Sequence, residues 1–110
     1  MADYKIDYFD VKQPAEKFYY AFDFTNAFRN LSISDTDTIN TVEVTILDPN
    51  NVDVTADMVD DTKQIIDGCI VYIFIQGGTS GNTYKGTVKA TATPSGQIAE
   101  MDFYLPVEEL

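Results

Sequence analysis

The stretch Gly77-Gly78-Thr79-Ser80-Gly81-Asn82-Thr83-Tyr84-Lys85-Gly86 is the part of this chain that most invites a chemical reading, because closely spaced glycines let backbone amides converge on a phosphate. The requirements of that chemistry are strict. A phosphate loop ends in Gly-Lys-Ser/Thr and opens a helix whose first amides face the anion, and a dinucleotide fingerprint needs G-x-G-x-x-G. Neither register occurs, and an alternating segment follows the glycines. The stretch therefore reads as a connection between strands, with Gly77, Gly78 and Gly81 supplying positive-φ turn positions.

Other chemistries fall to composition. The chain has no histidine, so Ser-His and Cys-His activation of a nucleophile is excluded, and zinc would be left with one Cys and carboxylates. Cys69 lies in the apolar run "GCIVYIFI" with no basic neighbour in sequence and reads as a small core residue. Carboxylates are numerous, but Glu100 and Asp102 fall on the outward phase of their strand and no acid pair stands out. Asp35 and Asp37 are weak candidates for calcium; an EF-hand loop would want a ligand and a glycine where Ile39 and Asn40 stand. No catalytic residue, metal or cofactor is expected.

The elements that must position these residues are strands almost throughout. In "KFYYAFDF" the residues Phe18, Tyr20, Phe22 and Phe24 share one face, which should be core. Thr25 should cap a single helical turn near residues 25–31 that sets Phe28 and Leu31 on one side. Val42, Val44 and Ile46 alternate with polar residues until "DPNN" breaks the strand, and Val52 and Val54 suggest a short edge strand. "CIVYIFIQ" is apolar on both faces, as for a central strand covered on each side or, on one side, by a neighbouring subunit. Two further strands follow, one with Tyr84, Gly86, Val88, Ala90 and Ala92 inward, the other with Ala99, Met101, Phe103 and Leu105 inward, joined by a turn at Pro94–Gln97. About seven short strands at this spacing argue for an all-β, antiparallel sandwich. The spacing Gly81-x-x-Tyr84 resembles the tyrosine corner of immunoglobulin-like sandwiches, so Gly77, Gly78, Gly81 and Tyr84 are given a structural role.

Seven Lys and Arg against 18 Asp and Glu give a formal net charge of -11, which repels phosphate backbones and anionic lipid; neither nucleic acid nor membrane is an expected partner. The acidic start "MADYKIDYFD" is unlike a secretory signal. Residues 1–13 form an N-terminal arm that adds to a neighbour's sheet, or a first edge strand, and residues 14–110 a single domain. Tyr8, Phe9, Tyr19 and Tyr104 are the candidate interface residues, since aromatics are enriched at interfaces.

Taken in order, Pro14 to Glu16, Asp23 to Thr25, Asp37 to Ile39, Gly77 to Tyr84 and Thr93 to Gly96 form a pattern over nearly the whole chain. It resembles the small immunoglobulin-like structural proteins of tailed bacteriophages and prophages, of the fibre-tail adaptor type. The chain departs from that pattern where Phe24 replaces the usual Trp and where Pro49 to Gly68 is longer and more acidic. The resemblance implies a virion component, made in the bacterial host cytoplasm, that joins tail or neck and fibre proteins by contact alone, as a homo-oligomer in the particle. Two other readings of the residues stay open: a carbohydrate- or cell-surface-binding module, with or without Ca²⁺, and a capsid decoration protein.

Overall fold

The computed structural model describes residues 6–110. Seven strands run in the order β1 (Ile6–Tyr8), β2 (Phe18–Asp23), β3 (Thr38–Leu47), β4 (Ile65–Asp67), β5 (Ile70–Ile75), β6 (Asn82–Thr93) and β7 (Ile98–Val107). They form a four-stranded sheet, β1-β7-β6-β3, and a three-stranded sheet, β2-β5-β4. All pairings are antiparallel except one: β1 runs parallel to β7, with Ile6 opposite Asp102 and Tyr8 opposite Tyr104. The fold is an all-β sandwich. Whatever part of the expected N-terminal arm precedes Ile6 lies outside the described residues.

The alternation read from sequence places the core. Along β6 the residues Tyr84, Gly86, Val88, Ala90 and Ala92 are buried, and along β7 Met101, Phe103, Leu105 and Val107 meet them from the neighbouring strand. The second sheet contributes Phe22, Val71, Ile73 and Ile75. Phe22 and Phe103 join the two layers, their ring centroids 5.2 Å apart. Each fully buried large side chain of this kind is worth about 1.5–3 kcal/mol, so the layer contact is the main source of stability. Small residues on β6 accommodate large ones on β7. At Gly86 a Cβ would stand 1.9 Å from Cζ of Phe103, so the ring occupies the space any other residue would need.

Several local expectations are corrected. The aromatic face of β2 is core at Phe22 and continues into Phe24, but Phe18, at the first position of this edge strand, is 47% exposed. The helical turn α1 spans Thr25–Phe28 and is capped from Asp23, whose Oδ1 accepts from the Thr25 N–H at 2.9 Å and hydroxyl at 2.6 Å. Thr25 is thus the first helical residue rather than the cap, and a shorter turn leaves Leu31 exposed while Phe28 is buried. The expected edge strand at Val52–Val54 is a single bridge from Asp53 to Leu47, followed by a second helical turn, α2 (Thr55–Met58). Asp53 repeats the device of Asp23, its Oδ1 accepting from the Thr55 N–H and hydroxyl. Helical spacing from Val54 then drives Met58 into the core. Strand β4 went unread: Gly68, at φ 62, turns it back on β5 and makes β5 the central strand of its sheet.

Candidate functional site

A groove of about 470 Å³ runs between β3 and α2, lined by Val42, Glu43, Val44, Thr55, Ala56, Val59, Asp61 and Gln64. A depression of about 300 Å³ over β3, β6 and β7 is lined by Glu43, Thr45, Thr87, Lys89 and Glu100, with Lys89 Nζ 3.9 Å from Glu43 Oε1. Among the described residues no group of three or more His, Cys, Asp and Glu could hold a metal ion. Buried polar chemistry is concentrated at two corners of the sandwich, where side chains tie loops to strands.

The first corner is the glycine stretch. Gly77, Gly78 and Gly81 have φ of 68, 96 and 94. Gly78 has a second reason to be glycine, because a Cβ there would lie 2.9 Å from Val107 Cγ2. The loop amides face inward to partners of this chain: Thr79 N–H donates to the Tyr84 hydroxyl oxygen at 2.8 Å, and Gly81 N–H donates to Val107 O at 2.8 Å. Tyr84 is 3% exposed, and its oxygen also accepts from Asn82 Nδ2. The segment leads into β6 and not into a helix.

What the loop does hold is a cation. Lys12, at 0% exposure, sends Nζ to the carbonyls of Gly77 at 2.5 Å, Gln13 at 2.9 Å and Pro14 at 3.3 Å. Burial lowers its pKa, opposed by the nearby Glu16 carboxylate and Tyr84. Its backbone continues the β7 edge, Lys12 N–H donating to Pro106 O and Lys12 O accepting from Glu108 N–H. Sequence reasoning passed over this residue, since a lysine in a polar segment before a proline is ordinarily at the surface.

The second corner is built on Asp37, which is 1% exposed. One carboxylate oxygen accepts from Ser95 N–H at 3.2 Å, and the other accepts from the Ser95 hydroxyl and from Gln97 Nε2 at 3.0 Å. The Ser95 hydroxyl, then Gln97, holds the carboxyl below the usual range against the opposing effect of burial. The Asp37 carbonyl accepts from Arg29 Nε at 2.7 Å and from the Cys69 thiol at 3.2 Å, and burial pushes that thiol's pKa up. Gln97 Nε2 also donates to Phe28 O. Asp37 and Gln97 together thus fasten α1, the start of β3 and the β6–β7 turn. Asp35, the other calcium candidate, is exposed and outside this network.

The candidate interface residues separate. Tyr8, 76% exposed, stacks on Tyr104 with centroids 5.1 Å apart and planes at 17°. Tyr19 is 46% exposed and donates its hydroxyl to Lys63 O at 3.0 Å. Phe9 turns inward and packs against Tyr20, Phe22 and Phe103 between the sheets.

Of the motif positions in the sequence, Asp23 caps α1, while Asp37, the Ser95 turn and the glycine stretch make up the two corners. The same span is matched by a family model described as podophage GP4 fiber-tail adaptor protein gp77, over residues 12–106. The chain belongs to this family. A fibre-tail adaptor is a structural part of a phage, and its place is the virion. The match opens at Lys12 and closes at Pro106, so the adaptor segment begins with the buried lysine and leaves β1 outside it. No curated protein matches the chain.

Proposed function

We propose that this adaptor works by contact alone, joining tail or neck proteins to fibre proteins, and is assembled into the particle in the bacterial cytoplasm. The observation that carries the proposal is the family match over 95 of 110 residues (12 to 106), which takes in β2 to β6 and nearly all of β7. The corner chemistry supports it: Asp23, Asp37 and Tyr84, at motif positions, each accept from a backbone N–H, as suits a rigid spacer between larger parts. Asp37 serves in this reading as a fastening for the β6–β7 turn, with no calcium required. We read Tyr84 as a tyrosine corner, its hydroxyl tied to backbone five residues upstream. We also read the sandwich as immunoglobulin-like: β2-β5-β4 follow the strand order B-E-D, and β3, β6 and β7 follow C, F and G, with β1 on the outer side of G.

The test is genetic and structural. Particles made without this chain should carry tails that lack fibres, and density for the chain should lie between tail and fibre in electron cryomicroscopy of intact particles. Fibres present in normal number on particles without the chain would reject the proposal. Calorimetry against Ca²⁺ and a glycan panel gives the other arm: heat from a glycan would favour the binding-module reading.

A further inference from the structure

Among the described residues the outer edge of β2 is open. Phe24 N–H bonds Cys69 O at 2.8 Å, and antiparallel bonding alternates, so Phe22, Tyr20 and Phe18 direct their backbone groups at β5. Tyr19, Ala21 and Asp23 direct theirs away from the sheet, where among the described residues they meet no hydrogen-bond partner. The remaining edges are blunted in the ways proteins usually blunt them. Among the described residues β1 and β4 have three residues each, and β3 has a register shift between Ile39 and Thr41 and a bridge from Leu47 to Asp53. The β2 edge has six residues, no proline and no bulge, and exposes Phe18 and Tyr19.

We propose that β2 is a self-pairing edge, through which two copies of this chain join antiparallel about a two-fold axis at Tyr20. The sequence of the edge, Lys17-Phe18-Tyr19-Tyr20-Ala21-Phe22-Asp23, starts with a cation and ends with an anion. In this register Lys17 of each copy faces Asp23 of the other and Tyr19 faces Ala21. All four residues are odd-numbered, so the outward-bonding positions meet each other and the ladder can close. Asp23 Oδ1 is engaged by Thr25, and its other oxygen is left for Lys17 of the second copy. The small side chain of Ala21 leaves room for Tyr19 beside it on the outer face. The net charge of -11 on each copy opposes association, keeping the pair in the range of about 10 µM to about 1 mM and making added salt tighten it.

Sedimentation of the full chain across that range, with amide hydrogen exchange at both ends of it, tests the pairing. The expected result is a concentration-dependent dimer in which the amides of Tyr19, Ala21 and Asp23 slow while those of Tyr20 and Phe22, already bonded to β5, do not change. Ala21→Pro deletes an outward N–H without touching the β5 ladder and should abolish the dimer. Lys17→Glu, at an exposed position, sets like charges opposite each other and should weaken it about tenfold or more. If Ala21→Pro does not fold, Lys17→Glu and the amide pattern decide the matter. A monomer throughout, or a dimer indifferent to both substitutions, overturns the proposal. So would protection of the three amides that comes only with other tail proteins, which would assign the edge to a strand of another chain. The outcome is read in solution and is independent of whether fibres are lost from particles.

Discussion

Lys12 shows how a single side chain can change what a loop is for. Glycine stretches are usually examined for anions, and this one presents a carbonyl to an ammonium, because the loop amides turn toward Tyr84 and Val107 and leave Gly77 O facing the N-terminal segment. Burying an amine is costly, and here three carbonyls offset the loss of water. Lys12→Met keeps most of the apolar stem and removes the donors, leaving Gly77 O buried without its partner. We expect a loss of about 1–3 kcal/mol in urea denaturation. Lys12→Arg should not restore it, since the planar guanidinium does not fit a site shaped for a compact ammonium.

At the scale of elements, β6 and β7 are matched by size. Gly86 faces Phe103 across the ladder, and the ring fills the volume a Cβ would take. Gly86→Ala should destabilise the fold by about 1–3 kcal/mol or more through overpacking, although alanine elsewhere in a strand would help. Adding Phe103→Leu, which withdraws the ring, should recover part of the loss, and a double-mutant cycle in thermal unfolding would register the coupling. Strand phase on β6 and β7 was legible because alternation survives in a strand with one buried face. The helical turn after Asp23 was legible at Thr25, but the one after Asp53 was misjudged as strand for a local reason. An Asx cap on the following Thr competes with strand extension, and the alternation of Val52 and Val54 is too short to outweigh it.

At the scale of the whole molecule, three carboxylates act as fixings and share one pH dependence. Asp37, Asp53 and Asp60 are held below the ordinary carboxylate range, in each case first by a neighbouring hydroxyl, that of Ser95, Thr55 and Thr62 respectively. A depressed pKa contributes stability that is complete above the unfolded value of about 3.9 and is lost as pH falls through the folded one. Urea midpoints measured from neutral pH downward should therefore hold until about pH 4 to 5 and then fall steeply. Ser95→Ala together with Asp37→Asn should lower the neutral plateau and flatten the acid limb. An acid limb equally steep in the double variant would remove Asp37 from the account.

Sequence by itself determined the strand phases of β6 and β7, the all-β class, the lack of histidine chemistry and the turn role of the glycines. All of these follow from near neighbours and the two-residue period of a strand. Tertiary structure alone decided which distant residues meet. Asp37 finds Ser95 58 positions away, and Lys12 finds Gly77 65 positions away, and no periodicity connects either pair. The motifs were legible one at a time as turn residues. That they fasten one another, and that among the described residues β2 is left with an unpaired edge, depends on the tertiary arrangement, because hydrogen-bond partners across a sandwich are chosen by packing in space and not by separation along the chain.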